Sequence, residues 1–403
     1  MDKQNQYTPF KQPLPVLFRH LRQTNNSERG VSIIEMLASI AFSGLVVGVA
    51  FTGFNEYRQS FVRDQSRRSV NQSFTGVSSL IGPDILQIGQ GLTDDPNFPT
   101  VRVVQTDIPG TTDKSSIITI TKALVSSSLP ICADISKGSS TAKIMIRDDV
   151  PDSNGKKKSG CQIPDSIPFN DDNPDLSGDG WPDILKVFRD NRLNQGGSIE
   201  AYIYAGEQTD LNNKKVHDYE IFNYTGEITE NQDGTSMTPS QNNEPARAFI
   251  TTDGHTWKND YSSVGTGRIH IIERRSYFLH RKEGEDSGFL KLIIDPPQEI
   301  VDGDLSNIDD YDTLTVAENI ANFEVVVNII EDVSEDTTHK CRIIPPGDDD
   351  CFPDNLQYSW AKIQYIEMIT TLAPDQKDFK RSGLTEEDLV LTERFFPRNV
   401  FSF

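Results

Sequence analysis

Gly30-Val31-Ser32-Ile33-Ile34-Glu35 opens an apolar run that continues to Phe54, and Glu35 is its only charge. A charged side chain at membrane depth costs about 3 kcal/mol on insertion scales, so it normally has a partner. Nothing in the segment itself is expected to be that partner. At about 1.5 Å per residue, a helix from Val31 to Phe54 reaches roughly 36 Å, enough to cross a hydrocarbon core.

Working outward, the stretch before the run carries Lys3, Lys11, Arg19, Arg22 and Arg29 against Asp2 and Glu28. The positive-inside tendency keeps such a flank in the cytoplasm and places the rest of the chain outside. A secretory signal peptide also has a basic flank, but its apolar core is shorter and ends in a small-residue cleavage site. After Phe54 the apolar residues thin to Val70, Phe74, Val77, Ile81, Ile85 and Ile88, at steps of three and four, with Arg63, Asp64, Arg67 and Arg68 between. That period is one face of a helix. Residues 55–90 are therefore expected to continue the membrane helix as an amphipathic packing element. Gly82-Pro83 is expected to kink it or end its regular part, because proline removes a helix hydrogen bond.

Gly, an apolar residue, Ser, two apolar residues and Glu, at the mouth of a spanning helix behind a basic flank, resemble the processing site of type IV pilins and type II secretion pseudopilins. Val31 stands where the family usually has Phe. The resemblance implies that a prepilin peptidase cuts after Gly30, removing residues 1–30 as a leader, and methylates Val31 as the new amino terminus. It makes Glu35 the fifth mature residue, an assembly residue whose carboxylate pairs with the cationic amino terminus of a neighbouring subunit. Opposite charges that meet in an apolar bundle relieve each other's desolvation and favour that register. The competing structural reading is an ordinary single-pass anchor that tolerates one Glu near a membrane face. The implied partners are other pilin or pseudopilin subunits and an inner-membrane assembly platform.

Beyond residue 91 the composition turns to Asp, Asn, Gly, Ser, Thr and Pro, interrupted by β-rich runs. Val101–Val104, Ser116–Ile120, Ile199–Tyr204, Arg268–Leu279, Phe289–Ile294, Phe323–Ile330 and Ile363–Leu372 read as strands. The polar, glycine-bearing stretch Arg281–Gly288 reads as a hairpin connection. The fold class is therefore α+β and pilin-like: a long N-terminal helix on a large, mainly antiparallel sheet spanning 91–403. The polar intervals at about 126–190 and 207–244 read as insertions. A large head, the segment Ala317–Val325 before a strand, and a long insertion are similar to the larger minor pilins and J-type pseudopilins. Glu393–Val400 resembles the ending of a pseudopilin associated with hormogonium polysaccharide secretion in filamentous cyanobacteria.

The formal net charge of −21 disfavours nucleic acid and anionic membrane surfaces as partners, since a basic patch is their footprint. It suits a solvated external domain and divalent cations. Cys132, Cys161, Cys341 and Cys351 all lie beyond residue 91, and in an oxidising compartment an even count favours two disulfides. Nearest-neighbour pairing, Cys132 with Cys161 and Cys341 with Cys351, is the expectation; buried thiols are the alternative. A zinc site would want short paired spacings or a His cluster, and neither is present in the sequence.

Asp175-Leu176-Ser177-Gly178-Asp179-Gly180-Trp181-Pro182-Asp183 places oxygen side chains at relative positions one, three, five and nine, with Gly at six. This matches the first part of a calcium loop, with Asp175, Ser177, Asp179 and Asp183 as side-chain ligands and the Trp181 carbonyl as a backbone ligand. Position twelve is Lys186, which cannot supply the bidentate carboxylate, so Asp171, Asp172 or Asp190 would have to complete the shell. An acidic turn that uses Asp and Gly for backbone reasons is the alternative.

Enzyme signatures are weak, and the chain is read as a non-enzyme. Asp286-Ser287-Gly288 matches a serine-protease nucleophile segment only superficially, because it falls in the expected hairpin turn. Two functions stand: a minor pilin or pseudopilin, at or near the tip of a filament that drives motility or export; and a membrane-tethered, calcium-stabilised adhesin that binds surfaces or polysaccharide.

Overall fold

A computed structural model describes residues 32–92, 98, 100–108, 111–151, 183–209, 215–239, 245–263, 267–332, 337–344, 362–373 and 384–397. The chain divides into two compact units, one ending at Phe61 and one running from Val62 to Phe403. Helix α1 (Ile33–Leu86) carries residues of both.

In the first unit α1 presents its apolar side chains outward, with Ile33 77% and Phe42 71% exposed. The most apolar 18-residue window of the helix has no buried residue, and the helix is long and apolar enough to cross a membrane. Two of its hydroxyls bond to the helix's own backbone: Ser39 donates to the Glu35 carbonyl at 2.6 Å and Thr52 to the Gly48 carbonyl at 3.0 Å. Such back-bonding lets a hydroxyl sit in an apolar helix without an unpaired polar group.

In the second unit α1 buries the face that the three-four spacing marks. Val70, Val77, Ile81 and Ile85, followed by Ile88 just past the helix, lie in one hydrophobic cluster with Phe74 packed against it. Pro83 sits inside the helix, which ends at Leu86, less than a turn later. At Gly82 the helix packs tightly on Phe395: a Cβ there would stand 2.8 Å from Cε1 of that ring.

The strands are all antiparallel neighbours. In chain order they are β1 (Val101–Asp107), β2 (Lys114–Ala123), β3 (Leu129–Pro130), β4 (Lys143–Asp148), β5 (Ile199–Thr209), β6 (Lys215–Glu230), β7 (Arg247–Thr252), β8 (Arg268–His280), β9 (Gly288–Ile294), β10 (Leu314–Asp332), β11 (Thr337–Cys341), β12 (Ile363–Leu372) and β13 (Val390–Phe395). They form a 13-stranded sheet whose main path runs β13-β12-β10-β9-β8-β5-β6-β7-β4. Two helices interrupt them, α2 (Asp183–Asn194) and the single turn α3 (Gln298–Val301).

Strand β8 organises the sheet because it is shared along both edges. β5 pairs with its first residues and β9 with its last along one edge, while β3 and then β2 pair along the other. Where β5 and β9 part, the backbone of Arg274 is capped by Asp295: its carbonyl accepts the Asp295 N–H at 2.7 Å, and its N–H donates to the Asp295 carboxylate at 3.2 Å. The alternation of β8 then separates two environments. Tyr277 and Leu279 join the core that contains α1, whereas Phe278, with Ile117 and Ile293, faces a smaller core under α3. A third core, around Phe188, Phe222, Tyr224 and Trp257, packs α2 on β5, β6 and β7.

All seven stretches read as strands from the sequence lie within strands, and Arg281–Gly288 makes the β8–β9 turn. The stretch 207–244, read as an insertion, instead holds β6, an interior strand paired with both β5 and β7. Its polarity hid it, because two of its carboxylates are buried in hydrogen-bonded pairs. Glu227 accepts two bonds from Arg192 of α2, at 2.9 and 2.8 Å, and a third from the Tyr224 hydroxyl. Within 126–190, β3, β4 and the start of α2 also belong to the ordered domain.

Candidate functional site

The first candidate is the mouth of α1. Gly30 and Val31 lie outside the described residues; Glu35 is described, and it is exposed. Its carboxylate accepts the Ser32 N–H at 3.2 Å, while the Ser32 hydroxyl accepts the Ile34 N–H at 3.3 Å. The reciprocal arrangement is a capping box, Ser at the N-cap and Glu three residues on, and it satisfies two otherwise orphaned N–H groups. This corrects the expectation that nothing in its own segment could partner Glu35: a neighbouring N–H does. What the segment does not provide is a countercharge, since no cation stands within ion-pair distance of Glu35 among the described residues. The signal, Ser-x-x-Glu before an apolar run, was readable in Ser32-Ile33-Ile34-Glu35.

In the second unit the buried charge on α1 is Asp84, 4% exposed. It accepts two bonds from one Arg275 nitrogen, at 2.9 and 3.0 Å, and one from the Tyr277 hydroxyl at 2.6 Å. Lys122 stands 3.6 Å away. Burial first, and the Asp84 carboxylate beside it second, raise the Tyr277 hydroxyl above its ordinary value. The cluster fastens the last turn of α1 to β2 and β8. It is a structural anchor, because every polar atom of Asp84 is engaged with the protein.

Of the proposed calcium ligands, Asp175, Ser177, Asp179 and Trp181 lie outside the described residues. Asp183 is the first residue of α2, and Lys186 and Asp190 lie on the same helix. Among the described residues no group of three or more His, Cys, Asp or Glu side chains is placed to hold a metal ion. Cys132 and Cys341 are both buried, and Cys341 lies in the core that contains α1. Their expected partners, Cys161 and Cys351, lie outside the described residues.

No motif or local pattern marks a cleft of about 450 Å³ on the face of β2 and β8 that points away from α1. Its floor is Arg102 of β1, Thr119 and Thr121 of β2 and Arg274 of β8. Gln298 and Val301 of α3 form one side; the other is Tyr219 and Glu220 of β6 with His255, Lys258 and Asn259 of the loop after β7. Phe98 closes it, its ring edge-on to Tyr219 at 5.0 Å between centroids.

The loop is held by Glu220. This buried carboxylate accepts the backbone N–H groups of Lys258 and Asn259, both at 2.8 Å, and the Tyr261 hydroxyl at 3.0 Å, and it meets His255 Nε2 at 2.9 Å. Burial works to raise the Glu220 carboxyl, and these bonds outweigh it, so the group titrates below the ordinary carboxylate value. The floor is tied in the same way. Arg274 makes two bonds to Glu200 of β5, at 2.6 and 2.5 Å, and reaches the Pro296 carbonyl at 3.1 Å. Arg102 pairs with Asp302 just after α3.

Comparison with protein-family models, with curated proteins and with solved structures found no match to this chain in any of the three. The fold therefore defines a class only in coarse terms: one apolar helix fit to cross a membrane, followed by a large antiparallel β domain.

Proposed function

We propose that this chain is a minor pilin or pseudopilin, a structural subunit anchored in the cytoplasmic membrane with its β domain outside the cytoplasm, and incorporated at or near the tip of a filament. One observation carries the reading: an apolar helix with no buried residue in its most apolar window begins at a carboxylate that has an N–H partner but, among the described residues, no countercharge. The capping box costs the carboxylate little while the chain is a precursor. Cleavage after Gly30 creates a cationic amino terminus at Val31, and the Glu35 of an adjacent subunit can take that charge as its partner inside the bilayer, where an ion pair is favoured over a lone carboxylate. Prepilin peptidase, sibling subunits and an inner-membrane assembly platform are the partners this reading requires. Calcium at Asp175–Asp183 and disulfides Cys132–Cys161 and Cys341–Cys351 belong to the same reading, as braces for an external domain.

Mass spectrometry of the mature amino terminus is the test. The expected result is a chain beginning at N-methylated Val31. Glu35→Ala should leave cleavage intact and lower the amount of chain recovered in sheared filaments or crosslinked to sibling subunits. A chain that stays unprocessed in its native cells would refute the proposal, as would full incorporation of Glu35→Ala.

A further inference from the structure

We propose that α1 carries a collar of arginines, Arg58, Arg63, Arg67 and Arg68, that binds the headgroups of anionic phospholipids where the helix leaves the bilayer past Phe54. The collar belongs to one unbroken helix, Ile33–Leu86; it rests on the spanning role proposed above, but on neither cleavage nor filament assembly.

Charge is the first argument. Between Glu35 and Asp84 the charged residues all fall within 56–68, where four arginines outnumber Glu56 and Asp64 by two. The whole-chain charge of −21 disfavours an anionic surface, and this stretch reverses that balance locally. In the β domain Arg102, Arg147, Arg192, Arg247, Arg342 and Arg394 each lie within ion-pair distance of a carboxylate. The four α1 arginines are exposed, and none has such a carboxylate among the described residues. Asp388 senses Arg67, but its carboxylate is held by the Thr385 N–H and hydroxyl, at 2.8 and 2.9 Å. Guanidinium groups left unspent in this way are bidentate donors suited to phosphate oxygens.

Their arrangement selects lipid over a protein partner. At about 100° per residue the four point to all sides of the helix, and no arc wider than about 140° lacks one. A docked protein reads one face, whereas a headgroup layer surrounds the helix. Depth agrees with this. At about 1.5 Å per residue Arg58 lies about 6 Å past Phe54 and Arg63 about 14 Å. The headgroup layer of each leaflet is about 5–8 Å thick. Helix side chains lean toward the N-terminus, here back toward the bilayer, so Arg58 lies in that layer and Arg63 reaches down to it. Arg67 and Arg68 follow a turn later and act through the field of the surface, which extends about 8 Å at physiological salt. Tyr57, 71% exposed beside Arg58, is the kind of amphipathic ring that settles at such an interface.

The test is native mass spectrometry of the full-length protein released from nanodiscs of equal phosphatidylglycerol and phosphatidylcholine, counting the lipids that stay bound. The parent is expected to retain phosphatidylglycerol in preference to phosphatidylcholine. Residues 1–30 are also basic, so the decisive figure is the change on the double substitution Arg58→Gln with Arg63→Gln, which leaves that flank untouched. At about fivefold per arginine the preference should fall by about tenfold or more, and the difference between the two proteins should shrink as salt rises. Glutamine is a good helix former at exposed positions, so the melting temperatures should match. Alkaline carbonate extraction reports integration separately: a chain that it releases refutes the spanning role and this proposal together. An integrated chain with no preference for phosphatidylglycerol, or one whose preference survives the double substitution, overturns the collar alone.

Discussion

Replacing Asp84 by asparagine keeps the shape of the side chain and removes only its charge, so it measures what fastens the end of α1 to the sheet. In the parent, the Asp84 side chain is 5% exposed and holds Arg275 through two contacts, Tyr277 through one and Lys122 at longer range. Removing one side of a buried pair costs about 3–5 kcal/mol, because the other side is left charged and unmatched. Two features reduce that figure here. The Arg275 side chain is 28% exposed, and Glu273 remains 2.7 Å from its Nε and 3.3 Å from Lys122. The expected loss is therefore about 2–4 kcal/mol, or roughly 3–6 °C in melting temperature for a domain of this size. Circular dichroism melts and urea titration of the detergent-solubilised chain read it directly. Tyr277→Phe removes one bond to the same carboxylate and should cost about 1 kcal/mol. The double variant should lose less than the sum, because both changes act on one network. If Asp84→Asn melts within about 1 °C of the parent, corresponding to about 0.7 kcal/mol or less, the anchoring role is wrong.

Two further predictions concern packing and pH. Gly82→Ala places a Cβ against the Phe395 ring and should destabilise by about 1–3 kcal/mol through overpacking, with Phe395→Leu restoring part of the loss in the double variant; thermal melts of the two single variants and the double variant decide it. Glu220 titrates lower in the folded state than in the unfolded one. Its contribution is therefore complete above the ordinary carboxyl value, about 4.3, and is lost as pH falls through the folded value. Glu220→Gln should be less stable than the parent at pH 7 and show a flatter acid limb in urea midpoints measured from pH 7 to 3, and equal slopes for the two proteins would contradict this.

Much of this architecture is legible because it rests on period. The three-four spacing from Val70 to Ile88 marks the face that α1 buries, and β8, β9, β10 and β12 are apolar enough to declare themselves. What stays hidden is structure built on paired charge. β6 carries Glu220 and Glu227, which read as solvent-facing until His255 and Arg192 are brought to them from other segments. α2 has the apolar positions Ile184, Leu185 and Phe188 at helical spacing, but they follow Asp183 directly, and the acidic stretch that precedes them masks the start of the helix. β13 alternates only weakly, as an edge strand with one neighbour does. The cleft is the extreme case. Arg102, Lys258 and Arg274 come from three distant strands or loops, and no local pattern announces that the sheet will bring them together.

The sharing of β8 sets an order of events for folding. β1 and β2 can close locally as a hairpin, yet the second edge of β2 stays open until β8 arrives; the bond between Thr119 and Ser276 spans 157 residues. Until then the chain carries an unpaired strand edge, the feature most prone to pair with another chain. Loop closure over such separations is slow, so the β domain is expected to be committed only once residues through β9 have been synthesised. A chain truncated before β8 should therefore fail as a whole and aggregate, rather than leave a smaller folded half.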